Sequence, residues 1–274
     1  MNHKLLTTLR VFKSRFLSRP RKVIHELVSF LISHNQKIAS AASIAVGVIA
    51  ICIALPAFNQ YQSTNPENDG YVQPRSISNL VEKTQKSTVT IYCEYGKELY
   101  SQGSGWSMKL KTSQKEKYPT AVITNHHVIE DCLKNKGKVS IVNSKGHEYK
   151  AVIDNWDKDN DLAVLATKAK IPPLKLSKNA PWPGYWVMAV GTADGYAGSI
   201  AFGNVLNVTD LEVLITASIS HGNSGGPLVD NEGYVIGTNT WGAKGEQYNG
   251  AKALDAMCKK LIVCKGEYFW EREN

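Results

Sequence analysis

From Ser87 to Trp241 the sequence is a succession of short runs rich in Val, Ile, Thr and Tyr, each closed off by turn residues. "STVTIYCEY", "GSGWSMKL", "TAVITNHH", "KVSIVNS", "HEYKAVIDNW" and "DLAVLAT" come first. A Pro-rich break, "IPPLKLSKNAPWPG", is followed by "YWVMAVGT", "SIAFGNVLNV", "EVLITAS", "GPLVDN" and "GYVIGTNTW". β-Branched and aromatic residues fit a pleated, half-buried surface, and runs of this length and spacing predict an all-β sandwich or a pair of barrels. Residues 164–184 divide the strands into two halves of about six each. Helical periodicity is read only at the end, in "LDAMCKKLIVC", and in a short helix "SNLVEKTQKS" ahead of the strands. In the latter Asn79 is the expected cap, with Glu82 three residues on.

The formal charge of +8 points to nucleic acid only until it is located. Residues 1–37 hold Lys4, Arg10, Lys13, Arg15, Arg19, Arg21, Lys22 and Lys37 against the single acid Glu26, so the remainder is close to neutral. A basic tail ahead of a neutral body argues for a membrane signal, not for nucleic-acid binding. "IASAASIAVGVIAICIALPAF", Ile38 to Phe58, follows without a charge. As a helix it is roughly 30 Å long, the thickness of a bilayer's hydrocarbon. Basic residues before it, and none in "NQYQSTNPENDGY" after it, place the amino end in the cytoplasm and the rest outside. A cleavable signal peptide is the rival, with Ala54 and Ala57 near a cut, but such peptides have shorter prefaces and shorter apolar cores. The expected organisation is a basic cytoplasmic tail over 1–37, a transmembrane anchor over 38–58, a linker over 59–75 and a folded domain over 76–274. That arrangement suits a bacterial inner membrane crossed once, with the domain on the periplasmic side.

Cys93, Cys132, Cys258 and Cys264 lie on the exported side, where disulfides persist. Four cysteines allow three pairings, and four buried thiols are a further possibility. The favoured pairing is Cys93 with Cys132 and Cys258 with Cys264. Six residues of unbroken helix hold two Cα atoms about 9 Å apart, so the second pair requires the helix to end between its members.

Chemistry concentrates in "ASISHGNSGGPLVD", Ala217 to Asp230. A serine between glycines at a sharp turn presents its hydroxyl to a carbonyl, and a glycine two residues earlier lets the backbone turn its amides toward one point. The amides of Gly222 and Ser224 are the candidates for holding an oxyanion. By composition alone the stretch reads as a Gly-rich turn between strands. A serine hydroxyl is too weak an acid to attack an amide unaided, so the catalytic reading requires a base and a group that orients it. "TNHHV" offers His126 and His127. On a strand, neighbours point to opposite faces, so these two are not expected to chelate one ion, and no metal site or cofactor is read.

"GNSGGPL", with "TNHHV" upstream and "NDLAVL" between, resembles the trypsin-like serine peptidases of chymotrypsin fold, and the bacterial Deg/HtrA branch most. The likeness runs over roughly residues 80–262, with motifs in the order His, Asp, Ser. The resemblance implies two six-stranded antiparallel β-barrels with a C-terminal helix. It implies His127 as general base, Asp161 as its orienting acid and Ser224 as nucleophile. His126 is expected on the opposite face of the strand end, neutral and hydrogen-bonded. Asp157 and Asp159 are expected as solvated turn residues. "QGSGW", Gln102 to Trp106, matches a Gly-Ser-Gly strand that passes near the site in the Deg branch. "NTWG", with Thr240, Trp241 and Gly242, resembles the lining of the primary specificity pocket, whose backbone pairs with an extended peptide. Ser218, six residues before the nucleophile, takes the position at the pocket's bottom, and without a carboxylate there a demand for Arg or Lys is not expected. His221 is expected in a solvated turn.

Two departures matter. The residue before the nucleophile is Asn223 where digestive relatives carry an acid, so the ion pair that activates them is not expected. Deg proteins usually add PDZ domains after the protease, whereas this sequence stops at Asn274 soon after its last helix, so PDZ-driven recruitment and assembly are not expected. The resulting expectation is a membrane-anchored serine endopeptidase acting on proteins or peptides, in envelope quality control or regulated proteolysis. The alternative is a silent or latent peptide-binding module on a protease fold. An oligomer is not read from the sequence.

Overall fold

The computed structural model describes residues 24–26, 28–29, 70–97, 99–243, 245 and 248–262. The chain divides into two units, Met1–Pro66 and Glu67–Asn274. In the first, residues 24–26 and 28–29 are helical and exposed. The expected anchor, Ile38–Phe58, lies outside the described residues, as does most of the tail and linker. No helix among the described residues is long and apolar enough to cross a membrane.

The second unit opens with α1 (Ile77–Ser87), which runs directly into β1 (Thr88–Glu94). Its cap is Ser76, whose hydroxyl accepts from the Asn79 amide at 3.4 Å; the cap therefore sits three residues upstream of the Asn79 expected from sequence. β2 (Tyr100–Met108) and β3 (Thr120–Thr124) follow, then α2 (His126–Asn135). β4 (Lys138–Val142), β5 (Glu148–Asp157) and β6 (Leu162–Thr167) complete a closed barrel in the order β1-β2-β3-β6-β5-β4. After residues 168–185 come β7 (Trp186–Ala193), β8 (Tyr196–Val208), β9 (Glu212–Ile215), β10 (Pro227–Val229), β11 (Val235–Gly242) and β12 (Asn249–Ala253). These close a second barrel in the order β10-β11-β12-β9-β8-β7, and every strand pairing in both barrels is antiparallel. The paired-barrel expectation holds.

Period-two alternation explains how the barrels meet. On β3, Val122 packs into the first barrel with Val89, Ile91 and Ile141, while Ala121 and Ile123 join a larger core that also holds Val187, Leu228 and Ile236 of the second barrel. β6 divides in the same way, with Ala163 and Leu165 inward and Leu162 and Val164 toward the shared core. Such strands are buried on both faces, which is why "LAVLAT" reads as an unbroken apolar run. Trp106 lies wholly inside this shared core and donates its indole N–H to the Thr238 hydroxyl at 3.2 Å.

α2 corrects the sequence reading. His126 and His127 do not end a strand; they open a helix, capped by Asn125 and closed by Lys136 in the left-handed conformation at φ 52°. The carboxy-terminal helix α3 is short, Leu254–Met257, and ends before Cys258. Cys93 of β1 and Cys132 of α2 form a disulfide with Cα atoms 5.7 Å apart. Cys258 is disulfide-bonded as well; its expected partner, Cys264, lies outside the described residues. In the β10–β11 hairpin, Asp230 accepts from the Glu232 and Tyr234 amides at 3.0 and 2.8 Å. Burial nonetheless pushes its carboxyl up to about 6.

Candidate active site

The first turn of α2 is fixed from several sides. Ser101 of β2 donates to the Val128 carbonyl at 2.9 Å, and the disulfide ties the helix's far turn to β1. Within this turn the two histidines part company: His126 is buried, and His127 is exposed, with 46% of its side chain accessible. The His126 ring makes no hydrogen bond among the described residues. Helical geometry, not strand alternation, separates their directions.

Asp161 meets His127 with both carboxylate oxygens. Oδ2 lies 2.7 Å from the ring Nδ1, and Oδ1 accepts the His127 backbone amide at 2.9 Å. An ionised carboxylate only accepts, so the ring must carry its proton on Nδ1, and Nε2 is left as the basic nitrogen. The cost of this aim appears in the backbone: Asp161 has φ 51°, uncommon for a residue with a Cβ.

Asp157 holds the turn that makes this possible. Sequence reasoning placed it in solvent, but its side chain is 0% exposed. It accepts from the amides of Asp159 and Asn160 at 3.1 and 3.3 Å, and from Asn160 Nδ2 at 2.6 Å, with Lys260 at 3.4 Å. Burial alone would raise its pKa; the Asn160 hydrogen bonds and the Lys260 ammonium outweigh that and hold it below the usual carboxylate value. An Asp whose oxygens take amides two and three residues on is an Asx turn, and "DKDN" carried that signal. Asp159 is solvated, as expected. Asn125, fully buried, adds a second brace with Nδ2 donating to the Asp161 carbonyl at 2.7 Å and to the Thr240 hydroxyl at 3.1 Å.

Ser224 sits in the loop between β9 and β10, with glycines in the left-handed region on both sides, Gly222 at φ 89° and Gly225 at φ 88°. A Cβ at Gly225 would fall 2.1 Å from the Ser104 carbonyl and 2.3 Å from the Thr124 hydroxyl, so only glycine fits. The Ser224 hydroxyl donates to the Thr240 carbonyl at 3.0 Å, and no hydrogen bond joins it to His127 among the described residues. The amides of Gly222 and Ser224 donate to no acceptor among the described residues. His221 is exposed, and its carbonyl accepts from the Asp194 amide at 2.7 Å.

β10 pairs with β11 only as far as Thr238, so Thr240 to Gly242 have β12 on one edge and, among the described residues, no strand on the other. Thr240 is buried, Trp241 half-buried and Gly242 exposed. Trp241 packs edge-on to Tyr248 and donates to Glu212 at 3.4 Å. Ser218 is exposed. Asn249, not singled out from sequence, donates to the Ala217 carbonyl at 2.9 Å across the space beside Gly242. A Cβ on Gly242 would lie 2.5 Å from the Ile219 carbonyl and 2.9 Å from Asn249 Oδ1. No group of three or more His, Cys, Asp or Glu side chains gathers as a metal site among the described residues.

Comparison with known proteins places the fold in a family. Residues 103–237 match the family model of the trypsin-like peptidase domain. The chain is 38% identical over 130 residues to a probable periplasmic serine endoprotease, DegP-like, of Chlamydia muridarum, covering 43% of this chain and 25% of that protein. It is 31% identical over 187 residues to the mouse serine protease HTRA3, covering 60% and 39%. The chain thus spans well under half the length of these relatives. The crystal structure of the serine endoprotease from Yersinia pestis superposes with a TM-score of 0.56 at 25% identity, over 66% of this chain and 64% of that one.

Proposed function

We propose that this chain, which carries a trypsin-like serine protease domain related to the DegP and HtrA endoproteases, hydrolyses peptide bonds in proteins through His127, Asp161 and Ser224. The observation that carries the assignment is the double hydrogen bond from one carboxylate to the His127 ring and backbone amide. It fixes the tautomer with Nε2 basic, as a general base for a hydroxyl must be.

In the proposed cycle Ser224 Oγ attacks the scissile carbonyl while His127 Nε2 takes its proton. Asp161 steadies the imidazolium without itself taking the proton. The amides of Gly222 and Ser224, which donate to no acceptor among the described residues, stabilise the oxyanion. His127 returns the proton to the leaving amine, and a water activated by the same ring then releases the acyl group. The free edge at Thr240 to Gly242 receives the substrate as an added strand, so recognition is largely through main chain. With the uncharged Ser218 in place of a carboxylate, a small or medium apolar side chain is the expected preference. The uncharged stretch Ile38–Phe58 is proposed as a single membrane anchor that holds the protease domain over 76–274 outside the cytoplasmic membrane.

One observation favours a second reading, that of a latent protease or silent peptide-binding module. The Ser224 hydroxyl is engaged with Thr240 and not with His127. A fluorophosphonate probe separates the two. Covalent labelling that disappears in Ser224→Ala supports the hydrolase. Folded wild-type protein that takes no label, alone or with peptide added, supports the binding module.

A further inference from the structure

We infer that Ser104 is a positioning residue for the oxyanion-binding loop, a role that rests on the hydrolase reading above. Ser104 lies in β2 of the first barrel and is 0% exposed, yet all its polar groups are engaged. Its hydroxyl donates to the Gly222 carbonyl at 2.6 Å and accepts from the Thr192 amide at 2.8 Å. Its amide donates to the Ser224 carbonyl at 2.8 Å. Its carbonyl accepts from the Thr124 hydroxyl at 2.7 Å, one residue before the cap of the helix that carries His127. A single residue thus touches the nucleophile loop twice, the end of β7, and the root of α2.

The hydroxyl sets the loop because a trans peptide places its C=O and N–H on opposite sides. With the Gly222 carbonyl drawn to Ser104, the Asn223 N–H faces away and donates to the Ser220 carbonyl at 3.1 Å. The Asn223 carbonyl in turn accepts the Gly226 amide at 3.0 Å, and the Ser224 N–H on its opposite side has no acceptor among the described residues. On the preceding peptide the His221 carbonyl is held by the Asp194 amide, and the Gly222 N–H has no acceptor among the described residues. Gly222 is the pivot of this sequence, at φ 89° and with no Cβ to resist rotation. Few side chains can do what this one does: a hydroxyl donates and accepts at once, whereas Ala in its place removes the partner of the half-buried Gly222 carbonyl and of the buried Thr192 amide together. The orphaned Gly222 carbonyl then has reason to rotate toward solvent, and the amides of Gly222 and Ser224 lose the peptide orientation that it fixed.

The test is Ser104→Ala, measured for kcat and KM on a peptide substrate and for affinity toward a peptidyl boronate, which forms the tetrahedral adduct. We expect kcat to fall about 100-fold, the scale of losing one oxyanion donor, with boronate affinity falling in parallel and KM within about twofold. Ser104→Thr, which keeps the hydroxyl, should recover kcat to within about tenfold of wild type. Unchanged kcat and boronate affinity in Ser104→Ala overturns the inference. So does a collapse of its melting temperature, which would make the hydroxyl a general structural support, or a folded Ser104→Thr as impaired as Ala. Fluorophosphonate labelling of the wild type separates the two readings. A labelled wild type with an unaffected Ser104→Ala overturns this inference alone, and an unlabelled, inactive wild type overturns the hydrolase reading and this with it.

Discussion

Neighbouring residues at the site differ sharply in what they are asked to do. His127→Ala should lower kcat/KM by at least about 1,000-fold, whereas His126→Ala, which removes a buried ring, should lower the melting temperature and leave most activity. Peptide hydrolysis beside thermal unfolding checks both, and reversed results would put the ring–carboxylate pair to no use. Asp230 gives a pH signature of its own. Its folded pKa of about 6 is above the ordinary 3.8, so its favourable contribution is complete below about pH 3.8 and is lost as pH rises through 6. Asp230→Asn, which keeps an acceptor for the Glu232 and Tyr234 amides, should therefore gain on wild type by roughly 2 kcal/mol between pH 4 and 6 in denaturant titrations. Parallel curves for the two proteins across that range would refute it. His127, Asp161 and Ser224 stood out in the sequence because three short motifs in one order restrict chemistry more than any composition does. Asp157 did not, since a charged residue followed by Lys and Asp reads as surface until the amides of Asp159 and Asn160 are seen wrapped around it. Ser104 lay within a motif that was noticed, but its partners are distant in sequence and meet only when two barrels close.

Strands were legible and one helix was not. "HHVIEDCLKN" is short and begins a single residue after β3, so alternation carried over from the strand hid the change of period. Asn125 just ahead of the apolar positions was the available signal, though its side chain braces the acid turn instead of capping the helix. At the start of β12, Asn249 closes the space between the 217–219 segment and Gly242. This narrowness predicts small residues on the amino side of the cleaved bond. In Asn249→Gly the ratio of kcat/KM for Leu or Phe over Ala at that position should rise by about tenfold or more, on the scale of a methylene or two in a pocket. Profiling both proteins on one peptide library decides it, and an unaltered ratio would remove Asn249 from specificity.

For the chain as a whole, charge and hydropathy make a prediction that the described residues leave to experiment. With the tail inside and Ile38–Phe58 across the membrane, a protease added to spheroplasts should degrade the domain over 76–274 and spare the tail. Full protection of the domain would overturn the topology. The two barrels were visible as two sets of strands, but their shared core was not, because alternation shows that a strand has two faces and not what each one meets. That shared wall has a consequence in time. β3 and β6 send every second side chain into a core completed by Val187, Leu228 and Ile236, so neither half buries its apolar surface before the other arrives. His127 and Asp161 come from the half synthesised first, and Ser224 from the half synthesised last. A nascent chain emerging from its ribosome, or threading through a translocon, is therefore harmless to its neighbours. On the proposed triad, hydrolytic power arrives only with the final docking of the second half, after the last strands have left the machinery that made them.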